Sequence, residues 1–214
     1  MSAFEFFFSF YGLLLGLSVA ELIGGFARAV QERSAVRFGW LTPMLAAFIT
    51  LDVATFWNQA WVIFRHAPYS YALLIVGLFI ASIFYIAATL VFPRDFKAWT
   101  SLDEHFWAHR RWVLLCALSA NLIVIVIFLL NATATGELPG LHLGWLFWGG
   151  AGLFISLTLV AALAPGKRTV GAALAILLLY NGFTVGRSAV SLVQTGGWTM
   201  QRSIAPTPAP SARP

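Results

Sequence analysis

Six apolar stretches, at 6–29, 40–64, 69–92, 112–131, 143–164 and 169–193, take up most of the chain, and short polar segments separate them. Each is close to the ~20 residues that carry an α-helix across the hydrocarbon core of a bilayer. Lipid offers the backbone no hydrogen-bond partner, so such a segment closes its own hydrogen bonds as a helix. The pattern predicts an all-α, polytopic integral membrane protein, a six-transmembrane-helix bundle over residues 1–200. Proline placement agrees. Pro43 falls in the first turn of the second stretch, where a missing N–H costs nothing. Pro68, Pro93, Pro139 and Pro165 fall between stretches. The connections at 65–68 and 165–168 are short, which predicts antiparallel neighbours for helices two and three and for five and six.

The connection over 93–111 is the longest between stretches one and five. Within it, Ser101-Leu102-Asp103-Glu104 has the form of a capping box, Ser101 as N-cap and Glu104 reaching back. A helix is therefore expected from Leu102 into the fourth stretch, over 102–131, with Phe106, Trp107 and Trp112 at headgroup depth. Trp40, Trp61, Trp99, Trp145 and Trp198 also sit near the ends of stretches, as an aromatic belt requires. The segment 201–214 is rich in proline and alanine, has no apolar face to bury and is expected to be disordered. Gly39-Trp40-Leu41 and Gly144-Trp145-Leu146 recur 105 residues apart, a spacing that an inverted repeat would give, although chance also supplies such a match among so many Gly, Trp and Leu.

Composition sharpens the class. Hydrophobic residues make up 60% of the chain and charged residues 10%, against about 25% charged in soluble domains. The net charge of +5 is explained by membrane orientation rather than by nucleic-acid binding. Arg28, Arg33, Arg37, Arg94, Lys97, Arg110, Arg111, Lys167 and Arg168 follow stretches one, three and five, whereas Arg65, Arg187, Arg202 and Arg213 lie on or near the other side. The positive-inside rule then makes the first set cytoplasmic. Both termini are expected outside the cytoplasm, in a bacterial inner membrane. The start, Met1-Ser2-Ala3-Phe4-Glu5, lacks the basic stretch of a cleavable signal, so the first helix is expected to be retained.

Ionisable and amide groups at membrane depth carry the candidate chemistry. An ion at the centre of a spanning helix costs about 2.5–3.5 kcal/mol on an insertion scale, so such residues face a bundle interior by default. Glu21, Asp52, Asn181 and Arg187 meet that description. Asp52, Thr55 and Gln59 share one face of helix two; Tyr180, Thr184, Arg187 and Ser191 share one face of helix six; Ser82, Tyr85 and Thr89 form a lesser stripe on helix three. Asp52 and Arg187 differ by about five residues in depth, ~8 Å, which an arginine spans. One reading makes Glu21 and Asp52 proton- or cation-handling groups in a polar pathway with Arg187 as counter-ion. The other is a structural ion pair of Asp52 with Arg187 plus a neutral, hydrogen-bonded Glu21, since desolvation favours the protonated carboxyl.

Small residues form a second pattern. Gly12, Gly16, Ala20 and Gly24 recur every fourth position on helix one, Gly182 and Gly186 on helix six, and Gly149, Gly150 and Gly152 cluster on helix five. Such faces let helices approach closely, inside one bundle or between two copies. Cys116 stands alone, so no intrachain disulfide exists, and it reads as a small apolar residue. His105 and His109 share a helix face beside Asp103 and Glu104 without an evident third ligand, while His66 and His142 lie near the opposite surface. No metal or cofactor is expected. There is no Gly-rich phosphate loop, nucleophile elbow or HExxH motif. The expected function is a small transporter or channel for an ion or small solute, with the lipid bilayer and a homo-oligomer or larger membrane complex as partners. The alternative is a non-catalytic membrane subunit or scaffold.

Overall fold

In a computed structural model the backbone is described over residues 3–34, 36–64, 71–134 and 145–194, with side chains over 8–34, 36–60, 71–130, 133 and 147–190. The expectations for Arg65, His66, His142, Gly144, Trp198, Arg202, Arg213, the side chains of Trp61, Trp145 and Ser191, and the tail 201–214 lie outside the described residues.

Every extended element among the described residues is helical: α1 (Ala3–Gln31), α2 (Leu41–Phe64), α3 (Tyr71–Val91), α4 (Leu102–Ala134), α5 (Trp145–Leu163) and α6 (Lys167–Gln194), with one 3-10 turn at Phe96–Ala98. The helices fall where the apolar stretches do. Four contain segments long and apolar enough to cross a membrane: Phe8–Gln31, Tyr71–Val91, Leu102–Leu130 and Lys167–Val190. In α5 the apolar segment Phe147–Leu163 is shorter. These are the properties of an integral membrane protein.

The chain divides into two units, Met1–Asn181 and Gly182–Pro214. In the first, α1 packs on α2 and α3, α4 on α2 and α3, and α5 on α4. Lipid tails are as apolar as leucine, so burying a leucine between helices gains little; close packing and hydrogen bonds have to hold the bundle. The packed face of α1 shows how. Tyr11, Leu15, Ser18, Leu22, Gly25 and Ala29 are buried at alternating spacings of four and three, the repeat that keeps one seam turned toward a neighbour. Gly25 is required there, since a Cβ would come within 2.6 Å of the Phe92 ring. The expected small-residue face of α1 is a different one. Among the described residues Gly12 meets Trp57, Gly24 meets only the end of Arg28 and Gly16 meets nothing within 4 Å, while Ala20 is exposed. The N-terminal half of α6 buries Val170, Ala173, Leu174, Leu177 and Asn181, again at helical spacing. Gly150 of α5 leaves room for the Tyr180 hydroxyl, which makes α5 and α6 neighbours there.

One end of this unit is strapped by its connections. Arg37 bridges to Ser101, its N–H donating to the Thr100 carbonyl and its carbonyl accepting from the Leu102 N–H at 3.1 Å. The Thr42 hydroxyl donates to the Leu102 carbonyl at 2.8 Å. Gly39 has no room for a side chain because Asp103 occupies the space, and Asp103 in turn pairs with Lys167 at the start of α6. The capping box forms in part. The Glu104 N–H donates to the Ser101 hydroxyl at 3.2 Å, while the Glu104 carboxylate takes the N–H and hydroxyl of Thr100 instead of returning to Ser101. Nearly all of the basic residues assigned to one side by sequence, Arg33, Arg37, Arg94, Lys97, Arg110, Arg111, Lys167 and Arg168, belong to this end or the turns next to it.

Candidate functional site

Asp52 lies in the middle of α2, 2% exposed, among the buried side chains Phe48, Ile49, Val53 and Phe56. Helical periodicity puts it on the packed face, because Phe48, Ile49, Val53 and Phe56 lie three or four positions from it or beside it. Its donor comes from α4. The Asn121 side-chain amide donates to both carboxylate oxygens, at 3.1 and 2.9 Å, and to the Ala117 carbonyl at 2.9 Å. That last bond, one turn back along α4, fixes the rotamer that aims the amide at Asp52. Among the described residues of the first unit no cation comes within ion-pair distance of Asp52. A buried charge is retained at reasonable cost only when paired; this one is solvated by a neutral amide.

The other residues singled out from sequence distribute differently. Thr55 and Gln59 are half-buried on the same helix. Asn181 is buried at 5% and donates to its own helix, to the Leu177 carbonyl at 3.0 Å. Tyr180 is half-buried beside Gly150. Glu21 faces outward and is partnered locally: Arg28, two turns along α1, donates to it at 3.1 Å, the two side chains being 35% and 46% exposed. Thr184, Arg187, Gly182 and Gly186 belong to the second unit, where residues 182–190 are exposed.

The Ser and Thr hydroxyls of the α3 stripe are spent within their own helix. Ser82 donates to the Leu78 carbonyl and Thr89 to the Ile86 carbonyl, while Tyr85 is 43% exposed. Ser18, Thr50, Ser119 and Ser156 likewise donate to carbonyls three or four residues back. A hydroxyl satisfied by its own helix can face lipid cheaply, so a polar stripe of Ser and Thr does not by itself point inward.

Two side chains matter that the sequence reading passed over. Asn121 was hidden in an apolar stretch, yet an amide at that depth carries the same signal as Asn181. In the sequence Arg110 reads only as one more basic residue. It is 3% exposed, and its guanidinium donates to the Ala161 and Ala164 carbonyls at 2.7 and 2.6 Å. The last four carbonyls of a helix lack partners within it, and a cation there also meets the negative end of the helix dipole. Arg110 of α4 therefore caps α5. No group of three or more His, Cys, Asp or Glu side chains that would hold a metal occurs among the described residues.

No protein-family model, curated protein or solved structure matches this chain.

Proposed function

We propose that this chain crosses the bilayer six times and carries a proton or a small cation across it, as a small transporter or channel, with Asp52 as the residue that holds the ion. The observation that carries this reading is the composition of the Asp52 site. A carboxylate sealed between α2 and α4 is faced by a neutral amide, so among the described residues of the first unit the site is one positive charge short. A proton or a small monovalent cation completes it, and intramembrane acids of this kind are the usual stations of proton and cation pathways. Asn121 positions the carboxylate and supplies a donor that survives when the ion leaves. Thr55 and Gln59 continue the polar face along α2. In this reading the basic end lies in the cytoplasm and both termini lie outside, in a bacterial inner membrane.

The test is flux in proteoliposomes, read with a pH-sensitive dye and, separately, with sodium and potassium gradients. Asp52→Asn should abolish flux while the protein still inserts and folds. Glu21→Gln, which alters only an outward ion pair, should leave flux intact. A folded Asp52→Asn variant with full flux would remove the basis of the reading.

A second reading, a non-catalytic subunit or scaffold, is favoured by a separate observation. Residues 182–190 of α6, Arg187 among them, are all exposed, and a guanidinium at membrane depth is costly without company. Among the described residues nothing lies within 4 Å of where a side chain at Gly16, Gly149 or Gly152 would project. Cross-linking through a cysteine placed at position 186 distinguishes the readings. A specific adduct, with a second copy or another membrane protein, supports assembly; its absence in native membranes counts against it.

A further inference from the structure

We infer that the basic end carries a binding site for the phosphate headgroup of an anionic glycerophospholipid, in a cleft on the outer face of α4 beside the α5–α6 turn. This goes beyond ion transport and does not depend on it.

The cleft has a volume of about 590 Å³ and is lined by Trp107, Ala108, Arg110, Arg111, Trp112, Leu115 and Pro165. Two arginines line it, and among the described residues no carboxylate does. Arg110 is held in place from behind. Two of its nitrogens cap α5, its guanidinium lies 4.0 Å from the centre of the Trp107 ring, and its Nε is buried with no hydrogen-bond partner among the described residues. A buried cation with one donor unspent, next to a second cation, is an incomplete anion site. Arg111 is exposed and free to close over a ligand.

The order of residues along α4 selects lipid over a soluble anion. Ala108, Arg111, Trp112 and Leu115 lie at i, i+3, i+4 and i+7, and all four are exposed. They form one strip about 10 Å long at 1.5 Å per residue. It runs from guanidinium through indole to leucine, and Leu122 and Val126 continue it as exposed apolar side chains. Charge, then an interfacial aromatic, then hydrocarbon is the profile of one leaflet from headgroup to tail. The helix length agrees. At 33 residues, α4 is about 50 Å long, well beyond the ~30 Å of a hydrocarbon core, so its polar first turns project into the headgroup layer. The net positive charge of the cleft favours a headgroup whose phosphate is not offset by an ammonium.

The test uses the full-length protein in uncharged detergent, with phosphatidylglycerol and phosphatidylcholine as probes and retained lipid read by native mass spectrometry. Wild type should retain phosphatidylglycerol in preference to phosphatidylcholine. Arg111→Gln should weaken phosphatidylglycerol retention about fivefold, the worth of one basic residue near an anionic surface, and leave phosphatidylcholine unchanged. Arg111→Lys should restore most of the difference. Trp112→Ala, which keeps both charges, should weaken both lipids together. Equal retention of the two lipids by wild type, or no change in Arg111→Gln, overturns the assignment. Inorganic phosphate is the control for a soluble source. If it displaces phosphatidylglycerol at matched concentration and its own binding depends on Arg111, the lipid assignment fails.

Discussion

The ring of Tyr11 on α1 occupies the space that a side chain at position 77 of α3 would need, and its hydroxyl donates to the carbonyls of Leu73 and Leu74, each at 3.0 Å. Gly77 and Tyr11 are therefore one joint rather than two residues. A Cβ at position 77 would overlap the phenol itself, and overpacking of that kind typically costs 1–3 kcal/mol. Tyr11→Phe removes only the hydrogen bond, worth about 1 kcal/mol. Gly77→Ala should lower the unfolding midpoint in detergent more than Tyr11→Phe does, and Gly77→Leu should prevent accumulation of folded protein.

The Asp52–Asn121 pair is asymmetric in what each loss leaves behind. Asn121→Ala strips a buried carboxylate of its described side-chain donor, an omission that costs about 1–3 kcal/mol or more when the stranded group is charged. Asp52→Asn leaves two amides that can still hydrogen-bond. Thermal unfolding in detergent should therefore rank Asn121→Ala below Asp52→Asn, and the double variant Asp52→Leu/Asn121→Leu should recover part of the loss, because removing both partners is milder than orphaning one.

Arg110 and Arg111 are adjacent in sequence and opposite in role. Hydrogen bonds to a charged group contribute about 1.5–3 kcal/mol each, and Arg110 makes two to the end of α5. Arg110→Leu should destabilise strongly, whereas Arg111→Leu should fall within the ±0.5 kcal/mol of an ordinary surface change. The same heat-denaturation assay decides it, and equal effects would contradict the capping role.

The ion pair between Asp103 and Lys167 should be worth little, since Lys167 is 66% exposed and exposed pairs contribute about 0–1 kcal/mol. Lys167→Ala should shift the unfolding midpoint only slightly, and added salt should erase the difference. Gly39→Ala, by contrast, drives a methyl group into Asp103 itself and should be the more damaging change at this end.

The all-helical class was legible because hydropathy reports it directly. A stretch such as 40–64, with Pro43 in its first turn, had few other structures open to it, and α2 spans Leu41–Phe64. The start of α4 was also legible, because Ser101 and Glu104 carry local capping chemistry. The direction each polar residue faces was less so. Asp52 stands on a face crowded with Phe48, Ile49, Val53 and Phe56, and its burial follows from periodicity. Glu21 looked equally deep, but Arg28 seven positions on is a partner on the same side of the helix, and that spacing was present in the sequence unread. Arg110 could not have been assigned this way: its acceptors, Ala161 and Ala164, are 51 and 54 residues away and carry no polar side chain to announce them. Backbone acceptors leave no trace in a sequence. The small residues are legible only as permission, since a glycine pattern shows where close approach is allowed and not which neighbour arrives.

The straps at the basic end have a mechanical corollary. Arg37 to Ser101 and Thr42 to Leu102 tie α2 and its lead-in to the start of α4, and Arg110 ties α4 to the last turn of α5, so these three helices are clamped toward one end and a rearrangement of the first unit opens more easily at the other, like tongs held at the hinge.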